Sequence, residues 1–277
     1  MPAVDSLADL LLGRRVCVLT GAGISTDSGI PDYRGPTAPK RRRAPMQHRE
    51  FVGSADLRAR YWARSLIGWP RFRSFEPNAA HHALARWDTS GALTGLITQN
   101  VDRLHHKAGH TRVIELHGAL AEVECLDCHT RLDRDHWQEL LVQGNPRLLD
   151  WTHALLPDGD AELPDHLVDG FVVPPCPMCG GVPKPDVVFF GGSVPRARVE
   201  EAFERVDEAE ALLVIGSSLT VFSGYRFATR ARDRGMPIAV VNLGPTRADP
   251  LATLKLEASA SDAIPALVSK LATSPRS

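Results

Sequence analysis

Short apolar runs that close on glycine or polar residues recur along this chain: VCVLTGAG from Val16, GLITQN from Gly95, RVIELHG from Arg112, DVVFFGG from Asp186, ALLVIGSS from Ala211 and IAVVNLG from Ile238. Runs that stay apolar instead of alternating suit strands covered on both faces, which is the situation of a parallel sheet. Helical segments lie between them, such as HHALARWD behind Asn78, a residue suited to an N-cap, and PRARVEEAFERVDEAE ahead of the fifth run. This alternation predicts an α/β fold, a Rossmann-like doubly wound parallel sheet with its ligand outside the carboxyl ends of the strands.

Two regions break the pattern. Residues 36–76 are basic and aromatic with helical character, and residues 119–182 hold two cysteine pairs. We expect them to form a second, smaller helical and zinc-ribbon domain, leaving 1–35, 77–118 and 183–277 as the discontinuous main domain. A chain of 277 residues with 43% hydrophobic content has enough material for that division. Its formal net charge of -1 argues against bulk nucleic-acid binding, so the basic cluster Lys40–Arg43 reads as a solvated loop. No run approaches the ~18 apolar residues of a membrane span, and the short stretch before the first strand leaves no room for a targeting peptide. The expected setting is the cytoplasm.

The strand ends carry the chemistry. Gly21–Gly23, Gln99–Asn100, His117–Gly118, Gly216–Ser218 and Asn242–Gly244 should converge on one edge of the sheet. Gly21 and Gly23 would let backbone N–H groups approach a pyrophosphate, although a G-x-G alone is equally a tight turn. Thr26 stands where a dinucleotide fingerprint has its third glycine, and Pro31 with the glycines around Asp32, Tyr33 and Arg34 forbids a long helix. A hydride-transfer domain would want that helix. Gln99, Asn100 and Asp102 offer amides and a carboxylate suited to ribose hydroxyls or a carboxamide, or simply a capped turn. His117 could act as a general base at neutral pH.

Cys125-x-x-Cys128 and Cys176-x-x-Cys179 have zinc-knuckle spacing. Four thiolates fill a tetrahedral ion and leave no place for water, so the implied metal is structural; His129 is a weaker candidate ligand. Cys17, inside the first strand, reads as a small core residue. The long stretch between the pairs implies a projecting loop, Trp151–Pro164.

In this order, GAGIS with SGIPDYR, TQNVD, ELHG, the paired C-x-x-C, KPDVVFFG, GSSL and VNLG resemble the sirtuins, over about residues 14–267. RYWARSLIGWP, CLDC, PDGD, SGYRF and GPTRADPLATLKL resemble more particularly the class II sirtuins of the sirtuin-four type. The resemblance implies an NAD-dependent protein-lysine deacylase in which the acyl-lysine oxygen attacks the nicotinamide ribose and nicotinamide leaves. The products would be free lysine and O-acyl-ADP-ribose, with NAD a co-substrate and one structural zinc.

Carried over, Asp32 and Asn100 would hold the carboxamide, Asp102 would support them, and Gln99 would order the ribose. Arg34 would face the phosphates, Tyr33 would cover the reacting face, and His117 would deprotonate a ribose hydroxyl. Gly21, Ala22, Gly23 and Thr26, then Gly216, Ser217, Ser218, Asn242, Leu243, Gly244 and Ala260, would seat the dinucleotide. A substrate peptide would pair as a strand between the loops after Phe190 and Leu219, touching Gly191. Gly192 stands where the family has an acid, and VFSGYRF replaces a proline-containing stretch. Tyr61 and Arg64, at i and i+3, match a pair that favours acidic acyl groups, and the Trp151–Pro164 loop would shape access to them.

Expected partners are acyl-lysine proteins or peptides bound by a monomer, with neither membrane nor nucleic acid involved. Mono-ADP-ribosyl transfer and a non-catalytic NAD sensor are the competing readings.

Overall fold

The computed structural model describes residues 2–33, 35, 45–148 and 168–273. Arg34, the basic cluster Lys40–Arg43 and the loop Trp151–Pro164 lie outside the described residues. The elements run α1 (Pro2–Leu11), β1 (Val16–Thr20), α2 (His48–Gly53), α3 (Ala55–Phe72), α4 (Ala79–Thr89), β2 (Leu93–Thr98), α5 (Leu104–Lys107), β3 (Val113–Glu115), β4 (Gly118–Cys125), β5 (Arg131–Asp133), α6 (Arg134–Gly144), β6 (Pro183–Val187), α7 (Arg196–Asp207), β7 (Ala211–Ile215), α8 (Phe222–Asp233), β8 (Ile238–Val241), β9 (Leu254–Leu256) and α9 (Ala260–Thr273). Among them no helix is long and apolar enough to cross a membrane.

The main sheet has six parallel strands in the order β3-β2-β1-β7-β8-β9. Strand order reverses between β1 and β7, which is where a doubly wound sheet opens a crevice. The strands are buried because alternate residues feed two cores. Val16 and Val18 of β1 pack with α1, α4 and α9 through Leu7, Leu84 and Leu267. Cys17 and Leu19 face the opposite core, made with α7 and α8 through Val206 and Phe227. Asn78 caps α4 as expected, its Oδ1 accepting from the Ala80 N–H at 3.0 Å.

One expected strand goes elsewhere. DVVFFGG does not join the parallel sheet: β6 ends at Val187 and pairs antiparallel with β4 in a three-stranded sheet of order β5-β4-β6. Pro183 and Pro185 explain this, since a residue without an N–H is tolerated on an edge strand and not in the middle of a sheet. Val188–Phe190 then leaves the sheet toward the crevice.

The small sheet packs with α3 and α6 around aromatic residues. Trp62 meets Trp137 at 5.3 Å and Phe51 meets Tyr61 at 5.5 Å between ring centroids. The buried Arg134 is satisfied from α3, donating to the Ser65 carbonyl and hydroxyl at 3.1 and 3.0 Å while its guanidinium lies over Trp62 and Trp69.

Candidate active site

The loops after β1 and β7 touch at the switch point. The Gly21 N–H donates to the Ile215 carbonyl at 3.1 Å and the Gly23 N–H to the Gly216 carbonyl at 2.8 Å. These two amides are therefore bonded to the neighbouring loop and not directed at a phosphate, as the G-x-G spacing had suggested. What the glycines supply is close approach: a Cβ on Gly23 would sit 2.8 Å from Gly216 Cα, and one on Gly21 2.7 Å from Ser217 Cβ. Gly216 itself has φ 60°, and a Cβ there would lie 2.3 Å from the Ile24 nitrogen. Beyond Gly23 the chain turns through short 3₁₀ segments instead of a long helix, as Pro31 and the surrounding glycines require.

A polar cluster forms at the end of β2. Asn100 Nδ2 donates to the Gly21 carbonyl and to Ser25 Oγ, both at 3.1 Å. Ser25 in turn donates to Asp102 Oδ2 at 2.7 Å, and Asp102 Oδ1 accepts the Leu104 N–H at 2.9 Å. Burial raises the Asp102 pKa above the ordinary carboxylate value, while the Leu104 and Ser25 hydrogen bonds oppose the rise. Gln99 Nε2 donates to Ser217 Oγ at 2.8 Å, joining β2 to the β7 loop. Asp32 is buried and accepts the Gly35 N–H at 2.7 Å; Tyr33 is exposed at the rim.

His117 stands between these strand ends with both ring nitrogens engaged. Nδ1 is 2.9 Å from the Gln99 carbonyl and Nε2 is 2.8 Å from Ser223 Oγ. A carbonyl only accepts, so Nδ1 carries the proton and Nε2 keeps its lone pair. Burial, with Arg198 and Arg226 adding to it, holds the imidazole pKa below its ordinary value; the Gln99 carbonyl opposes them. The ring is thus a neutral base near pH 7.

These groups line one cleft of about 1080 Å³. Of the residues assigned above to the cofactor, every one borders it except Arg34, which lies outside the described residues. His117, Gly191 and Tyr61 border it too. Arg64 does not: it is buried in α3 away from the wall, whereas Tyr61 packs against Phe189, 5.3 Å between centroids, at the cleft surface. The Phe190–Gly192 and Leu219–Ser223 segments both border the cleft, and the Phe190 carbonyl already accepts the His48 N–H at 2.8 Å.

Ser25 and Ser223 are site residues that sequence reasoning missed. Ser25 lies within GAGIS and Ser223 within VFSGYRF, a stretch departing from the usual pattern. Neither spacing shows that a hydroxyl reaches Asp102 or His117.

Cys125, Cys128, Cys176 and Cys179 come together with all four sulfurs within 4.8 Å of one another. The Cys125–Cys179 and Cys128–Cys176 sulfur distances are 3.5 and 3.8 Å. A tetrahedral ion with Zn–S bonds of ~2.3 Å needs sulfurs ~3.8 Å apart, so the donor set fits zinc. Backbone N–H groups of Asp127 and Gly181 reach Cys125 and Cys179 Sγ at 3.4 Å, the expected support for thiolates. Gly181 is needed because a Cβ there would lie 2.2 Å from Asp127 Oδ2. His129 stays outside the cluster, paired with Glu124 at 2.9 Å.

Comparison with known proteins agrees with this geometry. The model of the Sir2 family matches residues 21–223. The chain is 55% identical over 251 residues to the NAD-dependent protein deacetylase of Xanthomonas axonopodis pv. citri, covering 91% of this chain and 86% of that one. It is 50% identical over 259 residues to the human NAD-dependent protein lipoamidase sirtuin-4, mitochondrial, covering 92% and 82%. Among solved structures, a Sir2–p53 peptide–NAD+ complex aligns with TM-score 0.76 and 30% identity over 98% of this chain and 99% of that one.

Proposed function

This chain belongs to the Sir2 family, and we propose from that premise how its residues perform NAD-dependent protein deacylation. The observation that carries the assignment is His117: a neutral imidazole, fixed at Nδ1 by the Gln99 carbonyl, with Nε2 at the wall of the cleft that Asp32, Asn100 and Asp102 share. Asp32 and Asn100 hold the nicotinamide carboxamide, with Asp102 and Ser25 fixing Asn100. The acyl-lysine oxygen attacks C1′ of the nicotinamide ribose and nicotinamide leaves. His117 Nε2 then takes the proton of a ribose hydroxyl, whose oxygen attacks the imidate carbon; the lysine amine leaves with the proton returned from His117, and water adds at that carbon to give O-acyl-ADP-ribose. Arg34 and Tyr33 act on the phosphate and reacting-face sides.

The peptide lies as a strand between Gly191 and the Leu219 loop. Near Tyr61 the wall is apolar, with Phe72, Leu120, Val187 and Phe189. That supports acyl chains longer than acetyl; Arg64, set back from the wall, gives an acidic acyl group less support. The four thiolates hold one zinc that keeps the small domain folded and supplies no chemistry to the reaction. We divide the chain at 1–35, 77–118 and 183–277 against 36–76 and 119–182, with β6 bridging the two through its pairing with β4. Four cysteines with metal-ligand spacing suit a reducing, cytoplasmic setting, and we take the protein to act as a monomer.

The test is a turnover assay with NAD and a panel of acyl-lysine peptides. Nicotinamide and O-acyl-ADP-ribose should form in equal amounts. Nicotinamide release accompanied by ADP-ribosylated protein and no O-acyl-ADP-ribose would replace the deacylase reading with ADP-ribosyl transfer; cofactor binding without turnover would leave an NAD sensor.

A further inference from the structure

Among the described residues no anion bears on the catalytic imidazole. The charged groups that bear on His117 are Arg198 of α7 and Arg226 of α8, and both disfavour a positive ring. Arg226 Nε and Arg198 Nη1 are themselves buried without a hydrogen-bond partner among the described residues, while Arg198 Nη2 lies 3.6 Å from Asp186 Oδ2. Once it takes a proton, the base becomes a cation beside two guanidinium groups.

The group on its reactive nitrogen is the Ser223 hydroxyl, 2.8 Å from Nε2, on the first turn of α8. The contact is built into the backbone. Gly224 lets α8 close in on Gln99, because a Cβ there would lie 2.4 Å from Gln99 Oε1. Gln99 in turn supplies the carbonyl that fixes the other side of the ring. The same close approach therefore sets both tethers of the imidazole.

We propose that Ser223 is a positioning residue for deacylation, whose hydroxyl donates to Nε2 while the imidazole is neutral and turns to accept from Nε2–H once the base is protonated. The inference rests on His117 being the base. In the step it serves, the ribose O–H bond breaks, its proton forms the N–H bond at Nε2, and the electron pair stays on the ribose oxygen. Ser223 keeps its own proton throughout and exchanges the donor role for the acceptor role. A hydroxyl can do both, whereas an alanine, a proline or a lysine could not. Hydrogen bonds to a charged partner are about twice as strong as neutral ones, so the exchange favours the protonated base.

Ser223→Ala and Ser223→Thr are compared with wild type on NAD and an acyl-lysine peptide, measuring kcat, KM for NAD and the pH profile of kcat. Alanine is a good helix former, so α8 should persist, and thermal melting checks it. Ser223→Ala should lower kcat about tenfold or more with KM for NAD unchanged, and move the acidic limb of the profile to lower pH. Ser223→Thr should restore both. An alanine variant with wild-type kcat and pH profile overturns the proposal. So does a faster one, which would make the hydroxyl a mere occupant of Nε2, or one altered only in KM. His117→Ala in the same assay separates the two levels: if it retains turnover, the assignment of the base fails, whatever Ser223 does.

Discussion

The two halves of the molecule hold themselves together by different means. The six-stranded sheet is clamped between two apolar cores, one with α1, α4 and α9 and one with α7 and α8. The three-stranded sheet has one apolar cluster, and four thiols gather where β4 ends at Cys125. The site belongs mostly to the first half, since His117, Asn100 and the glycine loops extend from its strand ends. The second half supplies a wall through Tyr61, against which Phe189, just beyond the bridging β6, packs. A rigid parallel sheet can place polar groups from five separated strand ends on one crevice, whereas the metal-supported half can vary its wall without moving them.

The largest effect should come from the metal. Cys176 is one of the two buried thiols of the cluster, and structural zinc contributes ~10–16 kcal/mol of folding-coupled binding. Cys176→Ser, or chelation, should release zinc and abolish turnover, with amide exchange protection lost in β4–β6 and kept in β1, β2 and β7. Unchanged stability and activity without bound metal would erase the contrast between the halves.

Next is the base. His117→Ala should bind NAD and melt like wild type while product formation falls ~10²–10⁴-fold. A loss of NAD binding instead would place His117 in the scaffold and not in the chemistry.

Acid should strike the first half by a route that the second lacks among the described residues. His81 of α4 and His105 of α5 meet at 4.8 Å between ring centroids with their planes tilted by 59°, each with a buried ring nitrogen lacking a partner among the described residues. Burial depresses both, His81 from 6.5 to about 3 and His105 well below its ordinary value. Above pH 6.5 both rings are neutral folded or unfolded, so pH has no leverage. Below it the unfolded chain binds protons the folded one refuses, and stability falls by up to about 1.4 kcal/mol per pH unit per histidine until the folded pKa is reached. Urea midpoints should therefore drop steeply between pH 6 and 5, and less steeply in His81→Phe. Equal slopes would mean that His81 is not the source.

How much of this was visible in advance differs between the halves for physical reasons. The strands β1, β2, β7 and β8 were legible because burial on both faces writes a continuous apolar run. DVVFFGG wrote the same run and misled; the information lay in Pro183 and Pro185, which decide between edge and centre. The thiol cluster was legible from spacing alone, since two knuckles around one ion need little else. The reason for Gly21 and Gly23 was not, because the backbone they approach is Gly216, far along the chain. Ser223 is hidden for the same cause. Helix spacing put Tyr61 and Arg64 on one face but could not say that only Tyr61 borders the cleft.

The smallest predicted effect tests whether the first half's packing and the site are joined. Asn78 caps α4 with Oδ1, while its Nδ2 donates to the Ile24 carbonyl at 2.7 Å, inside the loop that carries Ser25 and Thr26. One side chain thus fixes a helix that packs against the sheet and the turn that holds Asn100 through Ser25. Asn78→Ala should cost about 1 kcal/mol of stability through the lost cap. If the second bond matters as drawn, KM for NAD should rise as well, because the loop loses a tether that α4 provides. Asn78→Asp separates the two contributions: it keeps an acceptor for the cap and removes the donor to Ile24, so stability should recover while KM stays raised. Recovery of both would make the Ile24 contact incidental and leave the cleft dependent on the glycine contacts alone.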